Sequence, residues 1–585
     1  MTDAFATVVH ASDICVVGGG LAGLCVAVSA ARMGARVVLM HERPMLGGNA
    51  SSECRVPISG AERNGQLPNM RETGILEELR LDNLYHNRQQ SYSVWDTLLY
   101  ALAQREPNIE LLLNCTCTEA TMAGPSIATV AGWQMTTQTR HIVRAHIFCD
   151  CSGDAVLAPL TGAAHRVGRE ARSEYGESIA PEHADRHTMG MTCLFEAREW
   201  STPQPYTPPD WAYRFDSLAD LPYGGRDLDA FECGYWWVEL GGDRDSIRDT
   251  ERCRDELLRV VYGVWDVIKN RTDGRADNWA IDWVGFLPGK RESRRYLGDH
   301  VLTQNDILAE GRFSDLVAYG GWTMDDHHPA GLGAVRIGSP ATIFHPAPSP
   351  YGIPYRCLYH RDIANLMFAG RDVSVTHAAL SSTRVMGTCC SIGQAVGVAA
   401  ALAVRHGLTP RELGLSRIDD VQQTLLWQDA YLPWQRQRFG EATRAARYSA
   451  TRGDPEPLRD GVNRPVGADA HAWVGAVGDA LTLSWDAPRP LSTLTLIADS
   501  ALDKRLWRIY SRVPLEQFAP PDVLLRRFTI EVDDGTGWRV HHTYVHNHQR
   551  LVRVPLNQIL RGVRLRCDAT WGSDAVRLYA LYVDE

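Results

Sequence analysis

Apolar and polar positions change period several times along the chain, and each change marks an element. A continuous apolar run, Ile14-Cys15-Val16-Val17, leads into Gly18-Gly19-Gly20-Leu21-Ala22-Gly23. An apolar-rich segment follows, and a second apolar run closes at Glu42. Run lengths and bounding glycines predict strand, helix and strand, as a βαβ unit requires. Apolar residues at three- and four-residue spacing predict helices over Glu72 to Leu84 and Ser93 to Arg105. Strand-like runs follow at Ile109 to Leu113 and His141 to Cys149. From about Arg166 to His345 Trp and Tyr become frequent among Pro and Gly, with a charged helical stretch from Asp245 to Asn270; this is the composition of an α+β insertion. The strand-then-helix pattern of the opening segment resumes with a buried strand running from Asn365 into Ala369-Gly370-Arg371. A small-residue helix from about Thr383 to Val404 and a helical segment from Thr409 to Tyr431 come next.

Past a Gly/Pro/Arg-rich linker near Thr451 to Pro465 the period becomes two. Short strands are predicted at Ala480 to Trp485, Leu491 to Ile497, Phe528 to Val532, Trp538 to Tyr544, Leu551 to Val554, Gly562 to Cys567 and Val576 to Val583. Asp533-Asp534-Gly535-Thr536-Gly537 is a hairpin turn signal. Seven short strands without helices predict a β-sandwich.

A chain of 585 residues exceeds one ordinary core, and these changes of pattern place boundaries at 1–165, 166–345, 346–450 and 465–585. Hydrophobic content of 44% and charged content of 22% are those of a soluble globular protein. A net charge of −10 with no basic run argues against a nucleic-acid partner and against docking on anionic lipid. Met1 to Ser12 has neither a cationic region nor a long apolar stretch, so no secretory signal is expected. The segment Gly387 to Val404, interrupted by Gln394 and flanked by Arg384 and Arg405, reads as a buried helix and not a membrane span. Fourteen scattered cysteines form no C-x-x-C pair, which predicts reduced, buried thiols in a cytoplasmic protein and no metal centre.

The opening turn is a dinucleotide fingerprint in its proper setting. Gly18 permits the tight turn, Gly20 lets the backbone approach a pyrophosphate, and Gly23 lets helix and strand pack closely; Glu42 is placed to accept from a ribose diol. Three further stretches stand out beside it. They are Met45-Leu46-Gly47-Gly48-Asn49-Ala50-Ser51-Ser52, Pro288-Gly289-Lys290-Arg291-Glu292-Ser293-Arg294-Arg295, and a late stretch from Ala369-Gly370-Arg371-Asp372 through His377 to Arg384-Val385-Met386-Gly387. With these residues, about the first 430 positions resemble the FAD-dependent oxidoreductases often found in bacterial carbohydrate-utilisation settings, distant relatives of the fumarate reductase and succinate dehydrogenase flavoproteins. The final strands resemble discoidin or galactose-binding-like modules.

The resemblance implies FAD contacts at Gly18, Gly20, Ala22, Gly23, Glu42, Arg43, Gly48, Asn49, Ser51, Asp154, Gly370, Arg371, Asp372, Arg384, Met386 and Gly387. The residues favour FAD over NAD on their own account. Only one G-x-G-x-x-G follows a strand, and the late Gly-Arg strand would aim a helix N-terminus, with free N–H groups around Arg384 to Gly387, at the flavin pyrimidine edge. Attachment is expected to be non-covalent, since Gly47 to Arg55 contains no histidine.

Candidate chemistry gathers at Asp325-Asp326-His327-His328, where a carboxylate can raise the pKa of an imidazole base, and at His377. Arg291, Arg294 and Arg295 suit either clamping of an anionic substrate or bracing of the fold. The catalytic set is therefore His327, His377, Arg294 and Asp325. Tyr235-Trp236-Trp237 suits strand core better than sugar stacking. The expected fold is α/β: a Rossmann-like FAD-binding domain with an inserted α+β substrate domain, plus a C-terminal all-β sandwich. The expected activity is hydride transfer between flavin and a small sugar, polyol or uronic-acid derivative. Its alternatives are reduction of an activated C=C bond, or glycan binding on a vestigial nucleotide fold. The partners expected are a small-molecule substrate, a separate electron acceptor and, in assembly, further copies of the chain.

Overall fold

The computed structural model describes residues 5–216, 220–221, 231–270, 274–505 and 519–585. They fall into two units, one within Met1–Asn64 and Tyr92–Val421, the other within Gly65–Ser91, Gln422–Leu506 and Leu515–Glu585.

The first unit opens with β1 (Ala6–Ala11), β2 (Ile14–Val17), α1 (Leu21–Arg32) and β3 (Val37–Met40). After α2 (Ile75–His86), which belongs to the second unit, come α3 (Tyr92–Gln104), β4 (Ile109–Leu112), β5 (Cys115–Ala123), β6 (Ser126–Gln134), β7 (Thr139–Arg144) and β8 (Ile147–Asp150). The insertion contributes α4 (Thr250–Asn270) and β9 (Met324–His327) before β10 (Leu366–Phe368), α5 (His377–Thr383), α6 (Met386–His406) and α7 (Pro410–Trp427).

Strands β10-β8-β2-β3-β4 form a five-stranded parallel sheet in that order. Every residue of β2, β3, β8 and β10 is buried, the apolar signature of a sheet covered on both faces. Helix α6 packs closely on α1: a Cβ at Gly393 would stand 2.3 Å from the Ala22 carbonyl oxygen, and one at Gly397 would stand 2.0 Å from Ser29 Oγ. Small residues in α6 are thus a packing requirement, and the helix is long and apolar because it is core, with 89% of its most apolar window buried. No disulfide is formed among the described cysteines, and all but half-buried Cys233 are buried.

Two sequence expectations change here, and one strand is added. The run His141 to Cys149 divides at Ala145-His146 into β7 and β8, which lie in different sheets, because His146 N–H bonds to the Asp13 carbonyl and redirects the chain. The N-terminal stretch forms β1, paired in parallel with β7. The small-residue helix begins at Met386 and not Thr383: α5 ends at Arg384, and extended Val385 caps the start of α6.

The second unit is a β-sandwich that also holds α2 and a short helix at Glu441–Ala445. Its strands are β11 (Arg447–Ala450), β12 (Trp473–Ala476), β13 (Ala480–Ala498), β14 (Leu525–Asp533), β15 (Trp538–Tyr544), β16 (Leu551–Thr570) and β17 (Ala575–Asp584). Four of the predicted short strands merge in pairs into β13 and β16, which cross between layers through register shifts near Arg489 and Thr493. The sandwich also begins before residue 465, since β11 pairs with β13. Gly65–Ser91, placed by sequence in the nucleotide-binding part, clusters with this unit. Leu81 and Leu84 of α2 join Trp473, Leu494, Phe528 and Leu565 in its apolar core, and Arg71 donates to the Ser500 and Ala501 carbonyls. Residues 422–450 likewise belong to this unit and not to the second part of the FAD-binding domain.

Candidate functional site

The turn between β2 and α1 is built by close approaches. Gly18 has φ +104°, and a Cβ there would meet the Cys151 backbone at 2.5 Å. A Cβ on Gly23 would stand 1.9 Å from the Gly18 carbonyl oxygen, whereas Gly20 faces nothing nearer than Gly48 Cα at 3.9 Å. Gly20 therefore leaves the open face that a pyrophosphate needs, with Ala22 in the first turn of α1 behind it. Gly47 N–H donates to the Gly19 carbonyl, Ser51 Oγ to the Gly48 carbonyl, and Asn49 Nδ2 to the Lys290 carbonyl, so the second motif lies directly against the first and third. Glu42 stands exposed two residues past β3, with Arg43 Nε 3.6 Å from its carboxylate.

His41 is a contributor that sequence reasoning missed. Gly19 N–H donates to its Nδ1 at 2.9 Å and its Nε2 lies 2.9 Å from the Met45 carbonyl, which fixes a neutral imidazole beneath the turn. Burial, aided by Arg43, pushes its pKa down to about 4. The only signal was its place beside Glu42 at a strand end. Because the folded value lies below the unfolded one, the unfolded chain takes up the proton first as pH falls from 6.5 towards 4, and stability drops there. Urea unfolding at pH 7 and pH 5 should show a loss of about 2 kcal/mol from this group, absent in His41→Gln.

Asp154 joins the later motifs. Its carboxylate accepts from Arg371 at 2.6 Å, Lys290 Nζ at 2.7 Å and Ser293 Oγ at 2.8 Å, and its carbonyl accepts from Arg294 at 3.1 Å. Burial opposes that charge, but Arg371 and Lys290 outweigh it and hold the carboxyl well below its usual range. Arg294, expected among catalytic groups, has its guanidinium turned to this hub and makes no described contact with either histidine pair. Past β10, Gly370 (φ +119°) sits between Ala22 and Asp372. Asp372 is fully buried with no hydrogen-bond partner for either oxygen, and burial together with the neighbouring Asp150 carboxylate raises its pKa strongly. A buried, unpartnered carboxyl beside an open glycine turn fits a polyhydroxylated dinucleotide such as FAD.

Two expectations about the flavin end are corrected. Arg384 closes α5 as its C-cap and does not start a helix; it donates to the Asp325 carboxylate at 3.2 Å. Gly387 N–H is already bonded to the Ser59 carbonyl at 2.8 Å, so it is not a free donor, though Met386 does begin α6.

Each of the two histidines sits between a pair of carboxylates. His327 lies between Glu239 (Nδ1, 2.5 Å) and Asp325 (Nε2, 3.2 Å); His377, the first residue of α5, lies between Glu292 (Nδ1, 2.8 Å) and Asp326 (Nε2, 3.1 Å). Side chains alternate along β9, so Asp325 and His327 share one face while Asp326 serves His377 from the other. Burial opposes charge on both rings, but the carboxylates outweigh it: Glu292 and Asp326 lift His377 to about 10, and Glu239 and Asp325 raise His327. Burial likewise opposes ionised Asp325, yet His327 and Arg384 bring its pKa to about 2. His377 is therefore charged at neutral pH and cannot serve there as a base. Glu239 and Glu292 escaped sequence reading because they lie 88 and 85 residues from the rings they hold.

Two of the three arginines brace the fold. Arg291 donates to Thr192 Oγ1 and the Trp236 carbonyl, both at 2.8 Å, and Arg295 is enclosed by Glu170, Glu292 and the Gly168 carbonyl. Tyr235 and Trp237 are core, whereas Trp236 meets the His327 ring edge-on at 5.9 Å.

The chain is similar in part to a geranylgeranyl bacteriochlorophyll reductase-like protein from Thermoplasma acidophilum, at 12% identity over 72% of this chain and 85% of that one, with a TM-score of 0.32. It is similar to the family 32 carbohydrate-binding module of Streptococcus pneumoniae EndoD, at 15% identity over 24% of this chain and 95% of that one, with a TM-score of 0.19. A C. perfringens NanJ module of the same kind, solved with galactose, gives 10% identity, 24% and 93% coverage and a TM-score of 0.18. No curated protein matches the chain. Residues 13–425 match the family described as FAD dependent oxidoreductase, which spans both halves of the cradle, the insertion and both histidines, and the chain belongs to that family.

Proposed function

We propose that this FAD-dependent oxidoreductase oxidises a secondary hydroxyl of a small polar metabolite of the sugar, polyol or uronic-acid kind, with His327 receiving the hydroxyl proton. Bound FAD supplies the two-electron acceptor. The observation that carries the reading is charge balance around His327 and His377. Three cationic groups (Arg291, Arg384 and His377) and His327, which takes a charge when it accepts the proton, face four carboxylates (Glu239, Glu292, Asp325 and Asp326), each of the four in contact with at least one carboxylate. A site without surplus cations suits hydroxyl groups, which donate and accept, better than a dicarboxylate.

Asp325 Oδ1 is buried and lacks a well-formed hydrogen bond, so an incoming hydroxyl would find an acceptor there, directly beside His327 Nε2. Charged His377, anchored at the start of α5, holds Asp326 and keeps β9 in place. Only neutral His327 can accept a proton, and its pKa is raised above 6.5. The rate of substrate oxidation should therefore climb as pH rises past 6.5, and His327→Gln should lose that climb along with about 10²–10⁴-fold in rate. The test is anaerobic bleaching of the flavin against sugars, polyols and uronic acids, with reoxidation by unsaturated dicarboxylates run alongside. Bleaching by none of the former, with fast reoxidation by the latter, would replace this reading with C=C reduction.

A further inference from the structure

Among the described residues of the second unit, one group of metal-ligating side chains serves neither the cofactor cradle nor the paired histidines. Asp82, His86 and His548 place candidate donor atoms all within 4.8 Å of one another. Asp82 and His86 are four positions apart on α2, so one helix face presents both. His548 comes from the loop between β15 and β16, and its ring is stacked on Tyr85 at a 4.1 Å centroid distance and 2°. Trp571 abuts the same tyrosine edge-on at 5.7 Å. The imidazole plane is therefore set by packing and does not depend on the contact it makes with Asp82.

We propose that Asp82, His86 and His548 bind one divalent transition-metal ion of the zinc type, with solvent completing the shell. Two imidazole nitrogens and one carboxylate oxygen suit zinc, cobalt or nickel, and not calcium or magnesium, which take oxygen ligands. Both first ligands already have outer partners: Gln549 Nε2 donates to Asp82 Oδ1 at 2.7 Å, and His548 Nδ1 faces the His546 carbonyl at 3.5 Å. That is the support a metal-bound carboxylate and a metal-bound imidazole require, with Nε2 left to the ion. His548 Nε2 and Asp82 Oδ1 stand 2.9 Å apart and need open only to about 3.3 Å to flank a tetrahedral ion, a shift within the stacked plane. Asp82 is buried and His86 exposed, so the group has a closed floor and an open mouth. Sequence spacing hides the arrangement, since Asp82 and His548 are 466 residues apart. An ion here would tie α2 to the β15–β16 loop and close a very long loop within this unit.

The test uses the full-length flavoprotein, dialysed against chelator and titrated with zinc chloride by calorimetry, with bound metal counted after gel filtration. One zinc per chain is expected, with thermal unfolding moved upward by its addition. His86→Ala, an exposed substitution that leaves the apolar core intact, and His548→Ala should each weaken binding by at least about tenfold and abolish the thermal shift. A wild-type far-ultraviolet circular dichroism spectrum of each metal-free variant reports that the sandwich is folded, since the flavin lies in the other unit. Absence of zinc binding by the wild type, or wild-type affinity in either variant, would overturn the proposal. So would a His548→Ala protein that is less stable by the same amount with and without zinc, which is the behaviour of a simple Asp82–His548 ion pair.

Discussion

Gly23→Ala is expected to yield a folded but colourless protein. Its added methyl would sit 1.9 Å from the Gly18 carbonyl oxygen and 3.0 Å from Cys151 Cβ, and neither neighbour is a flexible side-chain end. The turn must open to admit it, and Gly18 cannot follow, because its own left-handed backbone is pressed on the Cys151 carbonyl. Opening moves Gly20 and the start of α1 away from the pyrophosphate position and breaks the Gly19 contact with His41. The shift removes backbone hydrogen bonds to a charged group, each worth roughly 1.5–3 kcal/mol, so FAD affinity should fall by about 10² or more. The flavin-to-protein ratio after gel filtration measures this directly. Gly20→Ala, which meets nothing within 3.4 Å, is the contrasting case: the protein should fold normally and weaken FAD only through the occupied approach face.

Arg295→Met should be the most destabilising single change in the insertion. Arg295 is 1% exposed and stands between Glu170 and Glu292, which are 2% and 0% exposed in their side chains. Removing it leaves two buried carboxylates with one cation fewer, a situation that costs about 3–5 kcal/mol. Glu292 would keep His377 and the Met189 N–H, and Glu170 would keep its bond from the His377 N–H. The double change Arg295→Met with Glu170→Gln should recover a large part of the loss, because it removes an unpaired charge as well as its partner. Urea unfolding of the three proteins measures both effects, and equal stability of the single and double variants would contradict the account.

Much of the turn between β2 and α1, and of the motifs packed against it, was legible in sequence because its physics is local. Gly18, Gly20 and Gly23 act within one turn, and Asn49, Asp154 and Arg371 lie in short motifs whose neighbours are fixed by strand ends. The parallel sheet was legible for the same reason: four-residue apolar runs have few other uses. What escaped reading was held by distant partners. The fixed charge of His377 depends on Glu292 and Asp326, 85 and 51 residues away, so residue type alone suggested a base where the structure places a cation. Arg384 looked like a helix start because the apolar pattern crosses it, and only the extended backbone of Val385 reveals two helices. In the sandwich, turn residues at Asp486 to Pro490 suggested separate strands, but β13 continues through them as a bulged strand.

Strand β9 is four residues long and offers acid side chains to both of its sides. Sliding that strand by a fraction of a residue would loosen Asp325 from one ring and Asp326 from the other in a single movement. The two imidazoles thus share one support: a displacement of this strand would alter the carboxylate surroundings of both rings at once.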